Sequence, residues 1–172
     1  MQQPTMETQL KLDDTAGRLA AILKEAERRV VFAESCTAGL VAATLSRIPG
    51  ISSHLCGSAV TYREDTKAKW VEVDADFLAE HGAVCEQVAR QMADGVLKAT
   101  PEADLAISIT GHLGPGAPSN LDGVVFIGHA VRDGKTGVAK HRLIPDVESD
   151  RVRVERQFLA AELVLSAAIP LV

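Results

Sequence analysis

Three short segments combine nucleophilic, basic and glycine-rich residues in an order that could support attack on a carbonyl group. In AESCTAG, Ser35, Cys36 and Thr37 stand side by side, followed by Ala38 and Gly39. In GSAVTYREDTK, Tyr62 precedes Lys67 by five residues, with Gly57 at the head of the segment. In ITGHLGPGAP, Thr110 and Gly111 open a stretch that continues through Gly114 and Gly116. A serine hydroxyl is a weak nucleophile until a neighbouring base takes its proton, and a lysine removed from water loses its own proton readily enough to act as that base. Cys36 is a rival nucleophile, because a thiol at a helix start has a depressed pKa. Each residue also has a plain reading. Ser35 fits a helix cap, Lys67 a solvated surface cation, Tyr62 an edge packing residue and the glycines a surface loop.

The surrounding pattern decides whether these segments can meet. DDTAGRLAAILKEAERR, from Asp13, spaces Leu19, Ile22, Leu23 and Ala26 as one face of a helix behind an Asp/Thr cap, leaving residues 1–12 as a polar tail before a single domain over 13–172. RVVFAES reads as a short buried strand that ends at Ser35, and TAGLVAATLSRI as the helix that follows, stopped by Pro49-Gly50. HLCGSAVTY is a second strand, with helices expected over Glu64 to Trp70, Asp74 to His81 and Glu86 to Lys98. ADLAISIT is a third strand running into GHLGPGAPSNLDG, a loop with four glycines and two prolines. GVVFIGHAV and VAKHRLI, joined through RDGKTG, form an antiparallel hairpin, and a final helix spans Ser149 to Ala168. Strands alternating with helices, then one late hairpin, predict a three-layer α/β/α sandwich with a mostly parallel sheet and an antiparallel edge hairpin. Ligands bind beyond the carboxyl ends of strands in such sheets, and all three segments fall there.

Composition narrows the chemistry further. The 172 residues are 47% hydrophobic and 24% charged, ordinary values for one folded domain. A net charge of -5 with no basic run argues against a nucleic-acid partner. Three cysteines, Cys36, Cys56 and Cys85, have no CxxC spacing, and no two histidines have the i, i+4 spacing of a helical zinc site, so neither a metal nor a disulfide framework is expected. The glycine loop matches neither GxGxxG before a helix nor GxxxxGK[ST]. No export signal or membrane span is legible, which points to a cytoplasmic protein.

AESCTAG resembles AESCTGG, GSAVTYREDTK resembles GGVVTYSNEAK, and ITGHLGPGAP resembles VTGIAGPGGG, three motifs of the C-terminal domain of the competence/damage-inducible CinA proteins. PGISS, HGAVCEQVARQMADG and SDRVRVERQ similarly resemble that family's PGSS, HGAVSEEVAREMAEG and GDREQVRRQ, so the likeness runs in order from about residue 15 to 168. It implies a nicotinamide-mononucleotide amidohydrolase working without metal or cofactor, with Ser35 as nucleophile, Lys67 as general base and Tyr62 as assisting hydroxyl. Backbone N–H groups at Cys36 to Gly39 or near Gly57 would hold the oxyanion, and the loop after Thr110 would wrap the nucleotide. The likeness further implies the stand-alone form of the domain, and a homodimer as its assembly. Departures fall at Glu64 for Asn, His112-Leu113 for Ile-Ala, Ala38 for Gly, and in a shorter stretch from Gly116 to Gly123. These keep open a different amide substrate, or a silent nucleotide-binding module of the same fold.

Overall fold

The computed structural model describes residues 3–147 and 150–172. Strands β1 (Val30–Glu34), β2 (Leu55–Val60), β3 (Leu105–Gly111), β4 (Val124–Val131) and β5 (Thr136–Arg142) form one sheet in the order β2-β1-β3-β4-β5. Both β2 and β3 pair parallel with β1, while β3 with β4 and β4 with β5 are antiparallel. All strands but β4 therefore point one way, and the hairpin lies at the edge.

Alternation along the strands assigns the two helical layers. Val30 and Phe32 of β1, with Leu105, Ile107 and Ile109 of β3, face a core shared by α1 (Met6–Glu25), α2 (Leu40–Leu45) and α6 (Val152–Ala168). Val31, Ala33 and Ala106 face the other way, toward α3 (Glu64–Val71), α4 (Ala75–His81) and α5 (Glu86–Ala99). The second face is built of small residues, so α5 approaches closely. A Cβ on Gly128 would lie 2.4 Å from the Ala89 carbonyl oxygen, and Ser108 Oγ donates to that same oxygen at 2.5 Å.

Two boundaries differ from the sequence expectation. The first helix begins at Met6 rather than Asp13, so the expected tail is largely helical. Its cap is Thr5, whose hydroxyl accepts from Thr8 N–H at 3.2 Å, and Thr5 N–H donates to Glu155 of α6 at 2.8 Å. The same Glu155 accepts from both Thr hydroxyls, and a carboxylate at this helix start is favoured by the dipole. These partners lie about 150 residues apart in sequence, beyond the reach of local periodicity. The expected start of the last helix at Ser149 lies outside the described residues.

The second difference concerns the turn after β1. Ala38 and Gly39 both adopt left-handed backbone, at φ 53 and 96, and α2 starts only at Leu40. Glu34 is completely buried and accepts five hydrogen bonds. They come from Thr37 Oγ1 at 2.8 Å, Gly39 N–H at 2.9 Å, Val41 and Ala42 N–H at 3.1 Å, and Ser58 Oγ of β2 at 2.9 Å. The anion at this helix start is thus the chain's own, and the free N–H groups expected at Gly39 and beyond are occupied. Replacing Glu34 by Ala strands five donors, two buried and three part-buried, so Glu34→Ala should lower unfolding free energy by about 3 kcal/mol, with Glu34→Gln intermediate. Urea unfolding of the three proteins checks this, and a loss below about 1 kcal/mol would show that packing alone holds the turn.

Candidate active site

A cavity of about 310 Å³ opens where β1, β2 and β3 end at their carboxyl termini, and Ser35, Tyr62, Lys67, Thr110 and Gly111 all line it. Each arrives by a different connection. Ser35 is the first residue past β1, anchored by its N–H donating to Ile109 O at 3.1 Å. Lys67 sits in the second turn of α3, and because helical side chains lean toward the helix N-terminus, its chain runs back to the end of β2. There its Nζ donates to Thr61 O at 2.6 Å and lies 2.8 Å from Ser35 Oγ. Thr61 N–H in turn donates to Glu34 O at 2.8 Å, so the β1–β2 pairing carries the lysine to the serine.

Burial sets the chemistry of the pair. Lys67 is 1% exposed, and desolvation lowers its pKa from the ordinary 10.5 to about 8, outweighing the opposing influence of Cys36 and Glu64. A neutral amine can keep one N–H on Thr61 O while its lone pair accepts the Ser35 hydroxyl proton. Ser35 is itself largely buried.

The neighbouring thiol behaves differently from expectation. Cys36 is buried rather than placed at a helix start, and loss of water pushes its pKa up to about 12 despite the nearby Lys67 and Arg153 charges. A thiol held that far from ionisation is a poor nucleophile at neutral pH.

The remaining candidates separate into two groups. Gly114 and Gly116, at φ 68 and 84, form the loop wall of the cavity with His112 and Leu113, and Thr110 Oγ1 donates to Ala83 O at 2.7 Å. Thr37, Ala38, Gly39 and Gly57 do not line the cavity. Thr37 spends its hydroxyl and Gly39 its N–H on Glu34, and the exposed Ala38 donates its N–H back to Ser35 O. Gly57 pairs with Val31 beside a register irregularity, three residues short of the end of β2. Among the described residues the Thr37 N–H has no protein acceptor, and the Cys36 N–H meets only its own thiol.

Residues that the sequence reading did not single out complete the wall. Ala83 and Val84 precede α5, and Arg153 projects from the first turn of α6 to donate from Nη2 to Tyr62 OH at 3.1 Å and from Nη1 to Gly114 O. Arg156, one turn on, grips Asp122 through two bonds of 3.0 and 2.8 Å and also reaches Leu113 O and Leu143 O, fixing both ends of the glycine loop. Their signal was SDRVRVERQ, which is arginine-rich at a helix start where acidic residues are the rule. Among the described residues no three His, Cys, Asp or Glu side chains converge to hold a metal ion, and no helix is long and apolar enough to cross a membrane.

Comparison with known proteins gives these features a context. The sequence model of the CinA C-terminal domain matches residues 12–167. A CinA-like protein of Citrifermentans bemidjiense is 38% identical over 154 residues, covering 88% of this chain and 36% of its own length. A CinA-like protein of Mycolicibacterium gilvum is 42% identical over 135 residues, covering 77% of this chain and 31% of its own. The chain thus spans about a third of these relatives. The crystal structure of the competence/damage inducible protein CihA from Agrobacterium tumefaciens superposes with a TM-score of 0.85 at 30% identity, over 99% of this chain and 98% of that one. With the domain model matching nearly end to end, the chain belongs to the CinA C-terminal domain family.

Proposed function

We propose that the protein is a serine amidohydrolase that converts nicotinamide mononucleotide to nicotinate mononucleotide and ammonia, with Ser35 as nucleophile and Lys67 as general base. The observation that carries this reading is the 2.8 Å contact between Ser35 Oγ and a lysine whose burial lowers its pKa to about 8. The choice of nucleotide rests on the resemblance of the three motifs, and the acid–base chemistry on the contact.

In this mechanism Ser35 Oγ attacks the carboxamide carbon as Lys67 takes the hydroxyl proton. The carbonyl oxygen becomes an oxyanion held by the backbone N–H of Cys36, which lines the cavity beside Ser35. Collapse breaks the C–N bond, the Lys67 ammonium returns its proton to the leaving nitrogen, and ammonia departs from a Ser35 ester. Water then attacks the ester while Lys67 again accepts a proton, and Ser35 regains its hydroxyl as the carboxylic acid leaves. Tyr62 also lines the cavity, and its hydroxyl can donate toward the departing nitrogen.

Ammonia release from nicotinamide mononucleotide, measured without added metal, tests the assignment. Ser35→Ala and Lys67→Ala should each cut kcat by at least about a thousandfold, whereas Cys36→Ala should retain most activity. A parent protein that releases no ammonia would point instead to another amide substrate or to a silent nucleotide-binding module.

The lysine also sets the pH dependence. Since the neutral amine is the reactive form, kcat/KM should rise about tenfold per pH unit below about 8 and level off above it. Stability follows the same group with a defined sign. The unfolded chain binds this proton more readily than the folded one, so the Lys67 contribution to stability declines as pH falls from about 10.5 to about 8. That segment of the pH–stability curve should flatten in Lys67→Met, and an activity profile unchanged across pH 8 would overturn the base assignment.

A further inference from the structure

The cavity wall carries a charge bias beyond what the hydrolytic steps use. Acidic residues outnumber basic ones in the chain, 23 to 18, yet no Asp or Glu lines the cavity while Arg153 and His112 do. Lys67, the wall's other cation, is buried and committed to Ser35 and Thr61.

Arg153 is placed against local preference. It occupies the first turn of α6, where the helix dipole disfavours a cation, and it makes no ion pair with a carboxylate among the described residues. Arg156, one turn later, is by contrast paired with Asp122. The Arg153 guanidinium instead lies across the cavity, donating to two uncharged oxygens, Tyr62 OH on one wall and Gly114 O on the other. Neutral acceptors hold a guanidinium in position without neutralising it, and an anion offers stronger bonds to the same planar fork. A local rule broken without a compensating ion pair marks a group reserved for something outside the chain.

We infer that Arg153 is the specificity residue that selects phosphorylated substrates, its guanidinium taking the phosphate monoester of a mononucleotide in place of Tyr62 OH and Gly114 O. This rests on the amidohydrolase reading for the identity of the substrate, but not for the binding itself.

The test uses ligands that cannot be hydrolysed. Calorimetric titration compares nicotinate mononucleotide with nicotinate riboside, its phosphate-free counterpart, on the native chain, Arg153→Ala and Arg153→Lys, with ribose 5-phosphate as a second phosphorylated probe. The native chain should bind the phosphorylated ligands more tightly. Arg153→Ala should weaken that binding by about 30-fold while leaving the riboside within about twofold, and Arg153→Lys should recover part of the loss. With the amide substrates, Arg153→Ala should lower kcat/KM for the mononucleotide far more than kcat/KM for the riboside, the excess falling on KM for the mononucleotide. Equal weakening of phosphorylated and unphosphorylated ligands, no weakening, or a native chain that binds neither phosphorylated probe would each overturn the inference. Phosphate-dependent binding that vanishes in Arg153→Ala, in a native chain that releases no ammonia from nicotinamide mononucleotide, would sustain the inference and sink that substrate assignment instead.

Discussion

The buried carboxylate of Glu34 is the interaction on which the rest of the site depends. A carboxylate removed from water is tolerated only when its oxygens are supplied with donors, and here two hydroxyls and three backbone N–H groups supply them. Those donors come from the turn after β1, from α2 and from β2, so one group welds three elements at the carboxyl end of the sheet. The welded turn includes Ala38 in a left-handed conformation that an alanine adopts at a cost of about 1 kcal/mol, so the network stabilises backbone that would otherwise relax. Ser35 is presented by that turn, and the pairing of β1 with β2 brings Thr61 and then Lys67 to it.

The two faces of the sheet serve different ends. The face toward α1, α2 and α6 is filled by large apolar side chains and supplies most of the core. The opposite face is lined by Ala106, Ser108 and Gly128, which lets α5 lie close and brings the Ala83–Val84 segment to the cavity. Lys67 is buried in the wall of the same cavity. The same burial that would be a liability for an ordinary lysine tunes this one toward neutrality near working pH.

The last helix joins the site to the chain's beginning. Glu155 and Glu162 of α6 accept hydrogen bonds from Thr5, Thr8 and Thr15, tying α1 along its flank. Arg153 and Arg156 on the same helix turn the other way, one toward the cavity and one onto the loop after β3. A single helix therefore sets both the packing of the N-terminal helix and the position of the glycine loop.

Local pattern was sufficient for the strands, for their order as alternating and then paired elements, and for placing Ser35, Tyr62 and Lys67 at one end of the sheet, because Ser35 and Tyr62 follow strand ends and Lys67 stands one turn into the helix after β2. Periodicity likewise fixed α3, α4 and α5 to within a residue or two. It failed where the deciding contact is tertiary: at the start of α1, where Glu155 accepts from Thr5; at the turn after β1, where the buried Glu34 carboxylate takes the Gly39, Val41 and Ala42 N–H groups and the Ser58 hydroxyl of β2; and at Gly57, which strand register leaves short of the cavity. The ionisation of Cys36 and Lys67 belongs to the same class. Residue type sets the ordinary pKa of a thiol or an amine, but only the tertiary structure decides how much water each one loses, and desolvation drives the two groups apart, the thiol away from reactivity and the amine toward it.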